Sequence, residues 1–319
     1  MTSAFDRRTE GARERALMAA VRSGALAPSA LEAAVPDFPI KLQIQTLSPC
    51  NASCEMCPWP STRDRLPQGR MDEELYLRLV DQIAEHDVER VGLFLMNEPL
   101  LDKRLAAWTA LLRARAPHAT ALIFTNGALL DGERARALAD AGMGEVNVSV
   151  VGFDAEHHAR IMRGVDFETV VANLVEVAAL ARGGALGAMQ VRVVGLDFPD
   201  AAAGLEAFRA RVDLELLLKP VTNRAGSIDV ERFDPDRALG GFRACQRPFV
   251  KGYVLYNGDM VLCNCDWERS VILGNARATP LSELWRGARL AEIRARHLPG
   301  ALPAGSLCAG CDYPRLADE

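Results

Sequence analysis

The chain has 319 residues, of which 49% are hydrophobic and 25% charged, and its formal net charge is −5. That length is enough to bury one large core with a small appendage. The negative charge excludes the basic excess that nucleic-acid binding normally requires. The amino-terminal residues are charged, and no segment is apolar for long enough to span a membrane, so we predict a cytoplasmic protein with no membrane contact.

The first part of the chain is predicted to be helical. Across residues 10–35, Ala, Leu and Met are spaced among Arg and Glu, with an interruption at 24–28. An amphipathic pattern of this kind predicts helices that pack on a core. We therefore expect a helical extension over residues 1–38.

From Ile40 onward, short apolar runs alternate with amphipathic segments. The six predicted strands are Leu42–Leu47, Val91–Met96, Ala121–Thr125, Val146–Val151, Gln190–Val194 and Leu214–Leu218. The predicted helices are Met71–Glu85, Leu105–Arg115, Gly132–Ala141, Phe167–Arg182 and Ala201–Arg211. This alternation predicts a parallel sheet with right-handed crossovers. Six units fall short of the eight in a closed barrel, so the expected fold is α/β, a partial (β/α)6 TIM-like barrel over residues 39–225.

The pattern changes after about Thr222. Polar turns give way to a cysteine-bearing hairpin, a short helix near Leu281–Arg296 and a loop rich in Pro and Gly. We therefore predict a small β-hairpin and helix domain over residues 226–319. In parallel sheets of this type, chemistry lies at the carboxyl ends of the strands.

Three cysteines follow the first predicted strand. Cys50, Cys54 and Cys57 form a C-x3-C-x2-C array. Soft sulfur ligands at this spacing suit an iron–sulfur cluster, and three ligands would leave one iron of a 4Fe–4S cluster open. A zinc knuckle is the alternative, although structural zinc sites require four ligands.

Further motifs lie at the ends of the next strands. They are Met96-Asn97-Glu98-Pro99, Thr125-Asn126-Gly127, Ser149 with Gly152, and the segment from His158 to Gly164. With the cysteine array, and in this order, they make residues 40–222 resemble the radical S-adenosylmethionine (SAM) superfamily. The resemblance implies reductive cleavage of SAM to methionine and a 5′-deoxyadenosyl radical, which abstracts hydrogen from a substrate C–H bond.

The resemblance also implies which side chains contact SAM. Glu98 would bind its amino group, with Asn97 in place of the family's usual glycine. Ser149 would contact the ribose or the carboxylate. The remaining candidates for cofactor binding are Thr125, Asn126 and Arg163.

Five more cysteines lie nearer the carboxyl terminus. Cys245 and Cys263 flank a predicted hairpin with Asn257-Gly258 at its turn, and Cys308 and Cys311 form a C-x2-C loop. Four thiolates make a complete site, for which a zinc ribbon is an alternative to an iron–sulfur cluster. The region resembles the auxiliary-cluster extensions of radical SAM enzymes, which are called SPASM domains when long and twitch domains when short. The resemblance implies a twitch domain with a second 4Fe–4S cluster on these four cysteines.

One cysteine is left over. By period-two alternation, Cys265 lies on the same strand face as Cys263. It is either a buried small side chain, a replacement for Cys263 as ligand, or a hydrogen-atom donor, because a thiol S–H bond is weak enough to quench a carbon radical. As a donor it would convert abstraction into epimerisation, as in radical SAM epimerases that act on peptides and aminoglycosides.

We therefore predict a radical SAM enzyme of antibiotic biosynthesis that acts on a carbohydrate-like aminoglycoside or aminocyclitol, with Cys265 as the hydrogen donor in an epimerisation. The alternatives are a dehydrogenase that oxidises a secondary alcohol through the auxiliary cluster, a ribosomal-peptide maturase, and a zinc-binding structural protein. The acidic net charge is compatible with a cationic substrate. A reductant such as flavodoxin or ferredoxin is the expected protein partner, and no nucleic acid is expected.

Overall fold

The computed structural model describes residues 11–24, 26–197, 204–298 and 302–316. The strands are β1 (Lys41–Ile44), β2 (Arg90–Gly92), β3 (Thr120–Thr125), β4 (Glu145–Ser149), β5 (Gln190–Asp197), β6 (Glu215–Pro220), β7 (Lys251–Val254), β8 (Asp259–Val261) and β9 (Ile272–Asn275). Each of the six strands predicted from the apolar runs is therefore present. The second is shorter than predicted, because its regular part ends at Gly92.

The helices that separate these strands follow the predicted order. They are α1 (Ala12–Arg22), α2 (Pro28–Ala34), α3 (Trp59–Thr62), α4 (Glu73–Ala84), α5 (Leu105–Arg115), α6 (Gly132–Asp140), α7 (Ala155–Ile161), α8 (Phe167–Arg182), α9 (Leu205–Arg211), α10 (Arg247–Val250), α11 (Leu281–Trp285) and α12 (Ala288–Arg296). Four of them begin after an aspartate whose side chain accepts a hydrogen bond from a backbone N–H of the first turn, which satisfies an otherwise unpaired donor. These aspartates are Asp72, Asp131, Asp154 and Asp166.

In the described part of the chain, all nine strands form one sheet in the order β6-β5-β4-β3-β2-β1-β7-β8-β9. Strands β1 to β6 pair in parallel with their sequence neighbours. The predicted α/β fold, a partial six-unit barrel, is confirmed. The carboxy-terminal hairpin continues the same sheet, because β7 pairs in parallel with β1 from Lys41↔Lys251 to Ile44↔Val254. The proposed domain limits at residues 39–225 and 226–319 stay a prediction, since the sheet runs across them.

Side chains alternate between the helix-covered face and the interior of the barrel. In β1, Leu42 and Ile44 are buried in the main hydrophobic core, and Lys41, Gln43 and also Leu42 line an internal cavity. The amino-terminal ends of the strands carry a network of ion pairs. Its pairs are Lys41–Glu14, Arg90–Glu145, Arg192–Glu145 and Arg192–Glu215. At the opposite, carboxyl ends, Thr125 and Ser149 are the last residues of β3 and β4, and the first cysteine loop follows β1.

Candidate active site

Both groups of cysteines reach one cavity of about 470 Å³ inside the barrel. Cys50, Cys54 and Cys57 line it from the loop after β1, and Cys245 lines it from the segment before α10. The sequence places these groups about 190 residues apart, counted from Cys57 to Cys245. They meet because β7, which follows Cys245, pairs with β1.

The first cysteine loop is held by backbone hydrogen bonds. The N–H of Ser53 donates to the carbonyl oxygen of Arg163 at 2.7 Å, and the N–H of Glu55 donates to that of Ile161 at 2.8 Å. Gly164 lies directly against the loop with φ +87°, and a Cβ there would lie 3.0 Å from the carbonyl oxygen of Asn51. The segment that ends in Gly164 therefore packs against the cysteine loop and holds it by backbone hydrogen bonds.

The three thiols of this loop suit an iron–sulfur cluster. Burial raises the pKa of Cys50 to about 12, and it raises the pKa values of Cys54 and Cys57 as well. Buried thiols keep their protons unless a metal displaces them. Backbone N–H groups already point at two of the sulfurs, from Ala52 to Cys50 at 3.4 Å and from Trp59 to Cys57 at 3.5 Å. Such donors stabilise the negative charge of iron-bound thiolates.

The indole N–H of Trp59 gives independent support for an iron–sulfur cluster at the first cysteine loop. The indole Nε1 of Trp59 is buried without a hydrogen-bond partner, and its ring packs in a cluster with Cys50 and Cys57. A buried donor without an acceptor is costly, so an acceptor is expected beside it when the site is filled. Among the described residues, no three His, Cys, Asp or Glu side chains converge closely enough to hold a single metal ion. The case for a cluster therefore rests on the number, burial and donors of the thiols.

Glu98 is the centre of a buried hydrogen-bond network. Its carboxylate accepts from the N–H of Leu100 at 3.0 Å, the hydroxyl of Thr125 at 2.7 Å and the N–H of Asn126 at 2.8 Å. The pKa of Glu98 is raised by burial, and these three bonds oppose the shift. Asn126 in turn donates to the side-chain oxygen of Asn51 at 2.8 Å, which connects the network to the cysteine loop. A carboxylate has about four acceptor sites, so one remains for an incoming ammonium group.

The other residues predicted to contact SAM divide into two groups. Asn97 and Ser149 line the cavity, and the side-chain nitrogen of Asn97 is buried without an acceptor. The guanidinium of Arg163 does not line it: this side chain is exposed and its Nε donates to the carbonyl oxygen of Arg160 at 3.2 Å. The expectation for Arg163 is therefore corrected, because its backbone and not its charge supports the site.

The second group of cysteines is gathered from three segments. Cys245 precedes α10, Cys263 follows β8, and Cys308 and Cys311 lie in the carboxy-terminal loop. That loop is anchored to the residues after β6, where the backbone N–H of Asn223 donates to Asp312 at 2.7 Å and its side chain donates to the carbonyl oxygen of Gly310 at 2.8 Å. Burial raises the pKa of Cys308 to about 12 and raises that of Cys245. Four enclosed thiols fit a fully ligated cluster.

Cys265 lies within this second group. It is 1% exposed, and its sulfur is within hydrogen-bond reach of Cys263 and Cys311. The hydrogen bonds from these two thiols, together with the charge of Arg247, hold the pKa of Cys265 well below its ordinary value. Cys265 is not among the described residues that line the cavity. The structure thus places Cys265 with the other cysteines of the second group and not in the wall of the cavity.

The cavity is lined by many cations and one carboxylate. Its basic side chains are Arg22, Lys41, Arg90, Lys219, Arg224, Arg243, Arg247 and Lys251, and its carboxylate is Glu98. Lys41 and Arg90 are neutralised by the ion pairs at the amino ends of the strands. Arg224, which has φ +48°, is a cavity residue that the sequence did not predict. No local sequence signal marks a non-glycine residue in the left-handed region, since it depends on how the chain leaves β6.

Trp267 was also missed. With Trp59 and Met96 it forms an apolar wall of the cavity next to the first cysteine loop. Its indole Nε1 is buried without a partner, like that of Trp59. Proximity of Trp267 to that loop depends on the β7–β1 pairing, so spacing along the chain could not show it.

Comparisons with known proteins agree with this geometry. Residues 45–185 match the family model of the radical SAM superfamily, and residues 245–312 match that of SPASM, an iron–sulfur cluster-binding domain. The S-adenosyl-L-methionine-dependent 2-deoxy-scyllo-inosamine dehydrogenase of Niallia circulans is 24% identical over 279 residues, which are 87% of this chain and 94% of that protein. No helix in the described ranges is long and apolar enough to cross a membrane.

The fold is similar to that of solved structures of other proteins. The crystal structure of BtrN in complex with AdoMet and 2-DOIA superposes with a TM-score of 0.62 at 21% identity, over 85% of this chain and 92% of that one. Streptococcus suis SuiB bound to the precursor peptide SuiA superposes with a TM-score of 0.66 at 14% identity, over 91% of this chain and 73% of that one.

Proposed function

This chain belongs to the radical SAM superfamily, in the subgroup with a twitch or SPASM-type auxiliary-cluster domain, and we propose that it oxidises a secondary alcohol of a small aminocyclitol to a ketone. Its cofactors are SAM and two 4Fe–4S clusters. When bound, they supply a 5′-deoxyadenosyl radical that takes a hydrogen atom, and an acceptor for one electron. The similarity to a 2-deoxy-scyllo-inosamine dehydrogenase supports both the substrate class and the oxidation.

The observation that carries the proposal is that both cysteine groups adjoin one cavity. Oxidation of an alcohol to a ketone removes two electrons and two protons from the substrate. One electron and one proton leave together as the hydrogen atom taken from the carbinol carbon. The second electron needs an acceptor, which a cluster held by Cys245, Cys263, Cys308 and Cys311 would supply, and the hydroxyl proton would pass to solvent. An acceptor with four thiolate ligands, held against the cavity wall, matches this requirement.

The residues of the chain orient SAM and limit water. Glu98 presents its remaining acceptor site to the amino group of SAM, and the bond from Asn126 to Asn51 fixes this carboxylate against the cysteine loop. Trp59 and Trp267 cover the space beside the first cysteine loop with apolar surface. Exclusion of water protects a reactive radical from side reactions.

The charge of the cavity favours a small substrate with many oxygen atoms. Glu98, the cavity's carboxylate, is occupied by three donors, so several ammonium groups would find little compensation there. Cations and N–H donors suit ring hydroxyls, which also accept hydrogen bonds. A small aminocyclitol with one amine therefore fits better than a polycationic aminoglycoside.

Epimerisation is the second candidate, because the chain has one cysteine more than the four an auxiliary cluster needs. The sulfur of Cys265 lies 3.0 Å from Arg247, which does line the cavity. A rearrangement that brought this thiol past Arg247 would place a hydrogen donor beside the substrate. For either reaction, we propose a cytoplasmic enzyme whose first cluster is reduced by a flavodoxin or a ferredoxin.

Turnover in deuterated water separates the two outcomes. The test uses the reconstituted enzyme, dithionite, SAM and 2-deoxy-scyllo-inosamine, with products analysed by mass spectrometry and NMR. Oxidation predicts a ketone, methionine and 5′-deoxyadenosine, with no inverted alcohol. An inverted carbinol carbon that carries one solvent deuterium, and that disappears in Cys265→Ala while both clusters remain, would overturn oxidation in favour of epimerisation.

A further inference from the structure

Arg247 is a buried arginine at the first residue of α10, between the cavity and the second group of cysteines. It is 8% exposed. The same nitrogen, Nη1, donates to the sulfur of Cys265 at 3.0 Å and to that of Cys263 at 3.3 Å. The guanidinium carbon lies 3.9 Å from the centre of the Tyr313 ring. The cation is therefore contacted by an aromatic ring as well as by the two sulfur atoms.

The surroundings of this cation are unusual in their lack of a carboxylate. Among the described residues, no Asp or Glu forms an ion pair with Arg247, and the sulfur atoms of Cys263 and Cys265 accept its hydrogen bonds. A buried charge without compensation costs several kcal/mol. Protonated thiols are weak, neutral acceptors, whereas iron-bound thiolates carry negative charge. The burial of Arg247 is therefore explained if Cys263 is a thiolate ligand of an anionic cluster, with the Cys265 thiol directly beside that ligand.

We propose that Arg247 is a positioning residue that raises the reduction potential of the auxiliary cluster through charge-assisted N–H···S hydrogen bonds. Reduction adds one negative charge to the cluster, and a fixed cation in hydrogen-bond contact stabilises the reduced form more than the oxidised form. Hydrogen bonds to the sulfurs and low solvent exposure are established determinants of iron–sulfur potentials. The stacking on Tyr313 keeps the guanidinium in place without a carboxylate that would cancel its charge.

Arg247 lies between the cavity and the second group of cysteines. Its side chain forms part of the cavity wall on one side and contacts Cys263 on the other. In the proposed oxidation, a cation would therefore lie between the cavity and the cluster that accepts the electron, and its charge would favour that transfer. The assignment rests on the auxiliary group's being the electron acceptor of the proposed oxidation.

The test is an anaerobic redox titration of the full-length holoenzyme, followed by EPR, without substrate. The first cluster is identified by the change of its spectrum when SAM is added, and it serves as an internal reference. Arg247→Gln removes the charge and is expected to disfavour reduction of the auxiliary cluster by at least tenfold, which lowers its potential by about 59 mV or more for a one-electron couple. Arg247→Lys keeps the charge without the fork and should produce a smaller decrease.

Arg22→Gln is the matched control. Arg22 lines the same cavity, but its Nε donates to the carbonyl oxygen of Ala244 at 3.3 Å instead of to sulfur. We expect neither cluster to shift in this variant. Iron and sulfide analysis accompanies each titration, so that loss of a cluster is not mistaken for a shift.

An auxiliary potential in Arg247→Gln that equals that of the wild type would overturn the proposal, as would an equal shift of both clusters. If Arg247→Gln does not retain the second cluster, Arg247→Lys decides: a decrease confined to that cluster supports the proposal, and an unchanged potential or a lost cluster overturns it. No substrate is present, so the result is independent of the product analysis. A shifted potential without ketone formation would overturn only the proposed oxidation.

Discussion

The two cysteine loops adjoin the same cavity but are built differently. The first takes three thiols from eight consecutive residues, Cys50 to Cys57, and holds them with backbone bonds. The second takes its thiols from three segments, Cys245, Cys263 and the loop Cys308–Cys311, and encloses them around a buried arginine. Three ligands leave a position open for a reactant, whereas four close the cluster. The difference matches a site that cleaves SAM and, under the proposed oxidation, a second site that would accept an electron.

The largest effect on activity is expected when a ligand is removed from the first, three-cysteine loop. Cys54→Ala removes one of three ligands, so SAM cleavage should fall below detection. The auxiliary cluster should remain, because its ligands lie on other segments, and iron should drop from about eight to about four per chain. Iron and sulfide analysis with assay of 5′-deoxyadenosine checks this. Loss of all iron would show that the two sites do not assemble independently.

Loss of the second, four-cysteine cluster should uncouple SAM cleavage from ketone formation without stopping SAM cleavage. In Cys308→Ala the second cluster is lost, but SAM cleavage should continue, since the first loop keeps its ligands. Ketone should be absent because the second electron has no acceptor. The measurement is the ratio of ketone to 5′-deoxyadenosine. Full ketone yield in a variant that lacks the second cluster would contradict the assignment of the acceptor.

The fifth cysteine sharpens the comparison. Cys265→Ala should retain both clusters and form ketone, since the other four thiols complete the site. Cys263→Ala is the matched control two residues away and should lose the second cluster. Iron content and product analysis distinguish the pair. The opposite pattern, with the cluster lost only in Cys265→Ala, would make Cys265 the ligand.

A smaller effect is expected at the SAM site. Glu98→Gln keeps the shape of the side chain but removes its charge, and a hydrogen bond to a charged group contributes about 1.5–3 kcal/mol. SAM affinity should fall by about 10- to 100-fold. Equilibrium binding of SAM to the oxidised enzyme measures it, with both clusters retained. Unchanged affinity would remove Glu98 from the SAM site.

The smallest effect concerns the support of the first loop. Gly164→Ala and Gly184→Ala both place a side chain at positive φ, which costs about 1–2 kcal/mol. Only at Gly164 would the new Cβ also press on the cysteine loop, at 3.0 Å from Asn51, whereas nothing lies within 4 Å at Gly184. Thermal unfolding and iron content should therefore be affected more by Gly164→Ala. Equal effects would show that the loop does not rest on Gly164.

The features that depend on local patterns could be predicted from the sequence. Strand and helix order follows from the period of apolar residues, and the cysteine arrays follow from short spacings. The pairing of β7 with β1 could not be predicted, because it joins residues about 210 positions apart, from Lys41 to Lys251. That pairing brings Trp267 and Arg247 to the cavity.

The site itself was predicted in part. Glu98, Thr125 and Asn126 were chosen as strand-end motifs, and the structure brings them into one hydrogen-bond network. Arg163 was chosen by the same resemblance, but its side chain is exposed and does not line the cavity, because Arg163 lies in the turn after α7, where a motif does not specify side-chain direction. The position of Cys265 depends on how the terminal loop folds back, which strand alternation does not specify.

The most direct test of the account is a single anaerobic turnover with SAM and 2-deoxy-scyllo-inosamine deuterated at the carbinol carbon. Two sites that share one cavity predict one ketone for each 5′-deoxyadenosine, with the deuterium recovered in 5′-deoxyadenosine and one electron in the auxiliary cluster by EPR. Deuterated 5′-deoxyadenosine without ketone, and with the alcohol returned in inverted form, would contradict it.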